Sequence, residues 1–447
     1  MTVDTEPAAA ARRAAASLGA WVALGALLLI GLYTYMDRPL LTLLTEPMRS
    51  DLGLSDFQIG LVQGLSWALF AALLSYPIAW LADRSDRRWI IAGSLFLWGL
   101  AAVGCALARD FQQLFAASAL IGVAEAALLP ITYTLIPELF EGRARVLANA
   151  LVIALGRFGS GLVYALCGVI AAQAAHVQPW LPTSLQSLEP WRIALVVLAL
   201  PAPIFAAVAF ALKLKPVQRP GAEPAGPAPP VWPFLSRNLA TLAPFALGVG
   251  LLVFAMSALM SFLPVVAMRE MGASPTDVAN GMGMATLVAM ALALAITVGG
   301  GPLLSRRFGA RHPIVLLAVA IGLCTFVVPA FLWIKAVQPL FWLIGAVFML
   351  FSIGAMAFPT ALQELTPQPL RTRLISIVIL VNMIMSGLGQ PAAGLVSDVL
   401  GPASGGLMRA TVSTGALALL VSTISLLIAA RGYPATLQAA RAEDGAP

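Results

Sequence analysis

Four ionisable side chains stand where such groups are costly. Asp37 and Arg38 are neighbours near the end of the apolar run Leu18 to Leu44, Glu125 lies in the apolar run containing GVAEA (Gly122 to Ala126), and Arg157 lies in another. An ionised group in hydrocarbon costs at least about 2.5–3.5 kcal/mol on insertion scales, so each needs a partner or a wet cavity, and each is a functional candidate by default. On a helix Asp37 and Arg38 point roughly 100° apart and cannot satisfy each other well, so each should look to another helix. Two carboxylates and two guanidiniums in an oily interior can do proton chemistry. A carboxylate out of water holds its proton more tightly and a guanidinium beside it opposes this, so a change of partner loads or releases a proton. The bland alternative is a set of static ion pairs that fix helix packing.

The elements that must position these groups follow from composition. Of 447 residues, 60% are hydrophobic and 10% charged, whereas soluble domains carry roughly a quarter charged residues. Apolar stretches long enough to cross about 30 Å of hydrocarbon recur with short polar breaks, so the bilayer is the expected solvent and the fold class all-α membrane protein. The pattern predicts helices over 18–45, 57–82, 88–108, 111–136, 147–172 and 191–212, then over 238–268, 276–303, 312–335, 338–363, 373–399 and 408–431. Residues 1–17 and 432–447 read as cytoplasmic tails, 18–212 and 238–431 as two six-helix bundles, and 213–237, with its GAEPAGPAPP run, as an extended linker. The first apolar run is too long for a signal peptide and carries Asp37 and Arg38 where a cleavage region would be small and neutral.

Depth along the predicted helices brings the four groups together. At 1.5 Å per residue, Glu125 lies about 17 Å and Arg157 about 15 Å from the same-side ends of the fourth and fifth helices, with Asp37 and Arg38 roughly 25 Å from Trp21. The long Arg38 side chain then reaches Glu125.

Most Arg and Lys residues fall on the face that carries the termini, while Arg49, Arg109, Arg192, Arg269, Lys335 and Arg409 fall on the other. By the positive-inside rule both termini are cytoplasmic, in a multi-pass inner-membrane protein. The net charge of +6 is thus a topology signal and not a nucleic-acid patch. Cys105, Cys167 and Cys324 have no paired spacing and read as small core residues. His176 and His312 stand alone, and no HExxH, GxSxG or P-loop pattern occurs, so neither metal, cofactor, hydrolytic chemistry nor ATP drive is expected. A channel is the remaining rival to a carrier.

The halves echo each other. AWLADRSDRR (Ala79 to Arg88) is matched by GPLLSRRFGAR (Gly301 to Arg311), and ELFEGRARVLANAL (Glu138 to Leu151) by ELTPQPLRTRLISIVI (Glu364 to Ile379). Internal repeats of this kind are how many transporters build one site between two halves, which favours alternating access over a pore.

On these residues the chain resembles the major facilitator superfamily, whose loop between helices 2 and 3 reads Gly-x-Leu-Ala-Asp-Arg-x-Gly-Arg-Arg. Here Ala79 and Asp86 replace the glycines, and Asp83, Arg84, Arg87 and Arg88 keep the charges. TYMDR (Thr34 to Arg38), GVAEA, GSGLVY (Gly159 to Tyr164) and EPWRIAL (Glu189 to Leu195) resemble the Spinster family of lipid transporters. The superfamily resemblance implies twelve transmembrane helices in two pseudo-symmetric six-helix bundles. The Spinster resemblance implies that Asp37, Arg38 and Glu125 belong to the transport site. Six residues before Glu125 that family has Arg where this chain has Ala119, which leaves Arg157 as the substitute base. The superfamily resemblance also implies a cytoplasmic gate of Asp83, Arg84, Asp86, Arg87 and Arg88 with Arg143 and Arg145, Asp83 closing against the helix that starts near Arg373. The second repeat has Ser305 at the acid's place, so the latch exists in one half.

The second half suggests the substrate. The seventh and tenth helices should face the central cavity, yet Pro244 to Met268 and Pro339 to Leu362 hold no charge and carry Phe254, Met256, Met260, Phe262, Phe341, Met349, Phe351 and Met356. Met-rich surfaces adapt to variable apolar ligands. A cavity charged on one wall and oily on the other suits an amphiphile such as a lysophospholipid, moved with protons by a monomer among membrane lipids. A proton-coupled carrier of small organic anions or drugs is the competing expectation.

Overall fold

The structure, a computed structural model, describes residues 18–82, 84–180, 186–212, 230–401 and 405–444. The elements among them are helices: α1 (Leu18–Thr34), α2 (Asp37–Leu43), α3 (Thr45–Leu52), α4 (Asp56–Gly60), α5 (Ser66–Ala82), α6 (Arg87–Leu107), α7 (Phe111–Leu139), α8 (Gly142–Val177), α9 (Pro190–Ala199), α10 (Ala202–Ala211), α11 (Trp232–Arg237), α12 (Leu239–Arg269), α13 (Pro275–Phe308), α14 (His312–Val327), α15 (Val337–Glu364), α16 (Arg371–Leu400) and α17 (Gly406–Glu443). Eleven helical stretches among the described residues are long and apolar enough to cross a membrane, and the shorter apolar stretch Phe111–Ala126 lies on α7, where the fourth of the twelve expected spans falls.

Proline decides where the expected spans break. Pro39 lacks an N–H and crowds the carbonyl four residues back, so the first span ends at Thr34 and restarts at Asp37. Leu200 and Pro201 likewise divide the sixth span into α9 and α10. Leu61–Leu65 forms a π-helical turn joining α4 to α5.

Two compact units form, residues 18–41 with 70–212 and residues 42–69 with 230–444 among the described residues; the change of unit at 220/221 falls within the expected linker 213–237, and the difference from the expected bundles is that residues 42–69 group with the second half. In the first unit α6 is the hub, packed on α7, α9 and α10. Its core joins Leu27 and Ile30 of α1, Ile91 and Leu95 of α6, Ile131 and Leu135 of α7 and Ala209 of α10.

In the second unit α12 packs on α16 and α17, and α15 on α13 and α14. Residues 42–69 join this unit because the backbones of α4 and its π turn lie directly on α16. A Cβ at Gly60 would stand 2.6 Å from the Gln390 carbonyl, and one at Gly64 2.8 Å from the Gly387 carbonyl. Gly53 caps α3 in the left-handed region, at φ 62°, which frees the chain to turn into α4. The last helix continues to Glu443, past the expected end at 431, and buries Tyr433, Thr436, Leu437 and Ala440. Residues 432–443 are therefore packed structure and not a free tail. Tyr433 Oη donates to Glu364 Oε2 at 2.5 Å.

Candidate functional site

The break in the first span creates the site. At Met36 the helical ladder is interrupted, its amide turning back to the Tyr33 carbonyl at 3.1 Å, and Cys167 Sγ of α8 joins the Leu40 amide on the Met36 carbonyl, at 3.2 Å. The broken end therefore has a partner. Behind it, Tyr33 stacks on Phe205 at 4.5 Å between ring centres, tilts against Trp98 at 4.9 Å and donates its hydroxyl to the Leu198 carbonyl at 2.6 Å. Arg192 of the EPWRIAL run closes the end of α6, donating to the carbonyls of Ala106 and Ala108 at 2.8 and 2.5 Å. Tyr33 and its ring partners thus back the break that carries Asp37 and Arg38.

At the break Arg38 Nη2 donates to Glu125 Oε2 of α7 at 3.1 Å, with the guanidinium 5.7 Å from the centre of the Tyr35 ring. The Arg38 side chain is 37% exposed and that of Glu125 14%, whereas Asp37 is 3% exposed. The bridge is therefore half-buried and the acid beside it is sealed. Asp37 Oδ1 is buried without a hydrogen-bond partner, which is uncommon for a buried polar atom and asks for an explanation. Asp37, with one bare oxygen, and Glu125, which holds the neighbouring guanidinium, are thus two acids competing for one donor. That arrangement can exchange a proton for a change of partner.

The other sequence-derived positions fall as follows. Arg157 lies on α8, with its side chain outside the described residues. Asp83 and the side chain of Arg143 are outside them as well. Arg84 lies over the Trp80 ring at 4.0 Å. Asp86 caps α6, accepting from the Arg88 amide at 3.0 Å and pairing with its guanidinium. Those Arg88 hydrogen bonds hold the Asp86 carboxyl below the usual range. Arg87 is buried, and Arg145 and Arg373 are exposed.

The expected apolar wall is only partly available. Met256, Phe262 and Phe341 are 4%, 1% and 3% exposed and are packing residues, the Phe341 ring filling the space where a Cβ at Gly281 would stand. An uncharged helix gives no sign of which face is turned inward, so the sequence alone places them in the cavity. Phe254, Met260, Phe351 and Met356 remain half-buried on α12 and α15, and Met349 packs against the Ala293, Ala320 and Ile353 cluster.

A second charged cluster escaped the sequence reading. Arg269, at the end of α12, donates through Nε to Glu46 at 2.7 Å and forks onto both oxygens of Asp56 at 2.8 Å. Asp398 of α16 accepts the amides of Asp56 and Phe57 at 2.9 Å each, and Ser397 donates to Asp56 at 2.7 Å. Two signals for it were present: the capping box Ser55-Asp56-Phe57-Gln58 and the Gly60, Gly64 spacing.

Broken helices, a buried acid and a bridged base inside a bundle of apolar spans define a polytopic membrane transporter. The sequence profile of the Major Facilitator Superfamily matches residues 23–389, and the chain belongs to that superfamily. It is a transporter and not an enzyme. An MFS-type efflux pump of Mycolicibacterium smegmatis is 27% identical over 395 residues, 85% of each chain. Protein spinster homolog 3 of Danio rerio is 28% identical over 202 residues, 45% of this chain and 40% of that one. In structure the chain is similar to a bacterial homolog of the human lysosomal transporter Spinster in its inward-facing, unoccupied conformation, with a TM-score of 0.76 and 22% identity over 96% of this chain and 99% of the other.

Proposed function

We propose that this transporter couples proton movement to the passage of an amphiphile with a charged headgroup and an apolar chain, for which a lysophospholipid is the model, and that it works by alternating access. The observation that carries the proposal is the half-buried Arg38 to Glu125 bridge beside the sealed Asp37, whose Oδ1 has no hydrogen-bond partner. Arg38 can be held by Glu125 or released toward Asp37, and whichever acid loses the arginine is the one that takes a proton. A negatively charged headgroup competes for the same guanidinium, which links substrate and proton at one donor. Arg157 would supply a second base from α8.

Phe254, Met260, Phe351 and Met356 supply adaptable apolar surface for the chain of the substrate. The loop of Asp83, Arg84, Asp86, Arg87 and Arg88, with Arg143 and Arg145, serves as the cytoplasmic gate of a monomer in the inner membrane, both termini cytoplasmic. The test is uptake or export of a fluorescent lysophospholipid in proteoliposomes under an imposed pH gradient, with Asp37→Asn and Glu125→Gln beside wild type. Gradient-driven rates in either variant equal to wild type would refute the coupling.

A second reading is favoured by the efflux pump of Mycolicibacterium smegmatis, whose match covers 85% of both chains: proton-driven export of small amphiphilic drugs or organic anions through the same site. A thermal-shift panel separates the two. Stabilisation by lysolipids but not by drug-like cations or short anions supports the first, and the reverse pattern supports the second.

A further inference from the structure

We propose that Cys167 is a positioning residue of the proton site: its thiol holds the Met36 carbonyl at the break in the first span, and α8 thereby sets how the Asp37 carboxyl is presented. The inference rests on the coupling reading above and adds to it the element that aims the acid.

The first span reaches its break short of donors. Pro39 has no amide to give the Tyr35 carbonyl. The Met36 amide turns back to the Tyr33 carbonyl at 3.1 Å, and the Leu40 amide, also at 3.1 Å, is what the ladder offers the Met36 carbonyl. That carbonyl belongs to the peptide leading into Asp37, so its direction fixes the start of the acid's own backbone. Cys167 Sγ brings it a second donor from another helix at 3.2 Å. The comparable contact in the second half, from Cys324 Sγ to the Val347 carbonyl, is looser at 3.8 Å. Met36 is 8% exposed and Cys167 and Leu40 are 0% exposed, so water does not compete for the place.

The helix that carries the thiol follows the first span into the break. A Cβ at Gly159 would stand 2.9 Å from Leu32 Cδ1, which brings α8 against α1 before the break, and Cys167 further along α8 meets the break itself. The titratable and charged groups gathered about Asp37 are Arg38 and Tyr35 on its own span, Glu125 on α7, Cys105 on α6, and Cys167 with Tyr164 on α8. Arg38 is engaged by Glu125 and Asp37 Oδ1 has no partner. The direction of that oxygen is therefore set by the backbone that carries it, and Cys167 is the side chain from a neighbouring helix that grips this backbone at Met36.

The test is infrared spectroscopy of the full-length chain in dodecyl maltoside micelles, which bring no carbonyl band of their own. The S–H band of Cys167, identified by its loss in Cys167→Val, should stand at the lowered frequency of a donating thiol; a band at the free-thiol position overturns the proposal. The carboxyl band of Asp37, identified with Asp37→Asn, is then followed against pH. Cys167→Ala and Cys167→Val both remove the donor, Val at nearly the volume of Cys. Each should move the midpoint by about half a pH unit, about a threefold change in proton binding and within what one neutral hydrogen bond supplies. Either variant suffices if the other does not fold, and an unmoved midpoint overturns the role. Cys167→Ser offers a donor again and should return the midpoint toward wild type, whereas a displacement as large as that of Cys167→Ala assigns the effect to packing and also overturns it. If the acid does not titrate in the accessible range, the frequency of its band, which reports its hydrogen bonding, is compared in the same variants with the same outcomes. Should the midpoint move as expected while wild-type transport in proteoliposomes ignores an imposed pH gradient, the positioning stands and the coupling reading fails.

Discussion

Replacing Glu125 by Gln separates proton coupling from substrate passage. The bridge it removes is a charge-assisted hydrogen bond of 3.1 Å between side chains 37% and 14% exposed. Exposed pairs contribute under about 1 kcal/mol and breaking a buried pair costs about 3–5 kcal/mol, so a half-open pair discounted for solvent is worth about 1–2 kcal/mol. That is a factor of roughly 5–30 in how tightly Arg38 is held. Gln keeps the shape and one acceptor oxygen, so part of the contact survives, but it can neither bind nor release a proton. In proteoliposomes, transport driven by a pH gradient should fall at least about tenfold, while counterflow at equal pH on both sides stays within about threefold of wild type. Driven transport at the wild-type rate would refute a coupling role for Glu125. Loss of counterflow in equal measure would show that it binds the substrate and does not carry the proton.

Asp37→Asn should tell a stored cost from a packing role. The acid is 3% exposed with one oxygen unpartnered, so removing its charge should leave thermal stability unchanged or raise it by a few degrees while gradient-driven transport falls, measured on the same preparation. Gly60→Ala drives a methyl against the Gln390 and Pro391 backbone, which cannot yield, and should lower the unfolding temperature sharply. Gly25→Ala, with nothing within 4 Å of the new methyl, should be neutral or stabilising by up to about 1 kcal/mol. Asp86 gives the pH dependence. Its folded value is lowered by Arg88, so its contribution to the α6 cap is complete above the ordinary carboxylate value of about 4 and is lost as the pH falls through the lowered one. Asp86→Asn should flatten that acid limb in thermal unfolding by no more than about 0.5 kcal/mol, because the pair is exposed.

The spans were legible because crossing a bilayer imposes one coarse rule on composition, and Asp37, Arg38 and Glu125 stood out because they break it. Helix breaks were less so. Pro39 and Pro201 mark them in the sequence, yet Pro77, Pro244 and Pro359 sit inside continuous helices. Neighbouring helices decide which prolines interrupt and which only bend. Facing was not legible at all on α12 and α15, since an uncharged Phe and Met pattern reads alike whether it fills a core, as Phe262 does, or stays half-open, as Phe254 does.

The grouping of residues 42–69 was lost for a different reason. Sequence continuity assigns them to the first half, and the repeat pattern agrees. Their packing with the second half depends on glycines that carry no hydrophobic signal, and on an arginine more than two hundred residues away that reads in the sequence as a topology marker. A charge at a helix end satisfies the positive-inside count whether or not it has a partner, so the count cannot separate Arg409 on the surface from Arg269 forked between two acids. What separates them is acid supply: Glu46 and Asp56 lie within ten residues of each other on the same face. In a chain with only 20 acidic residues, carboxylates gathered in the first turns of two successive helices, α3 and α4, imply a base that meets them. The scarce acids point to their bases in both places: Glu125 to Arg38, where depth along the helices agrees, and Glu46 with Asp56 to Arg269, where only the shared face does.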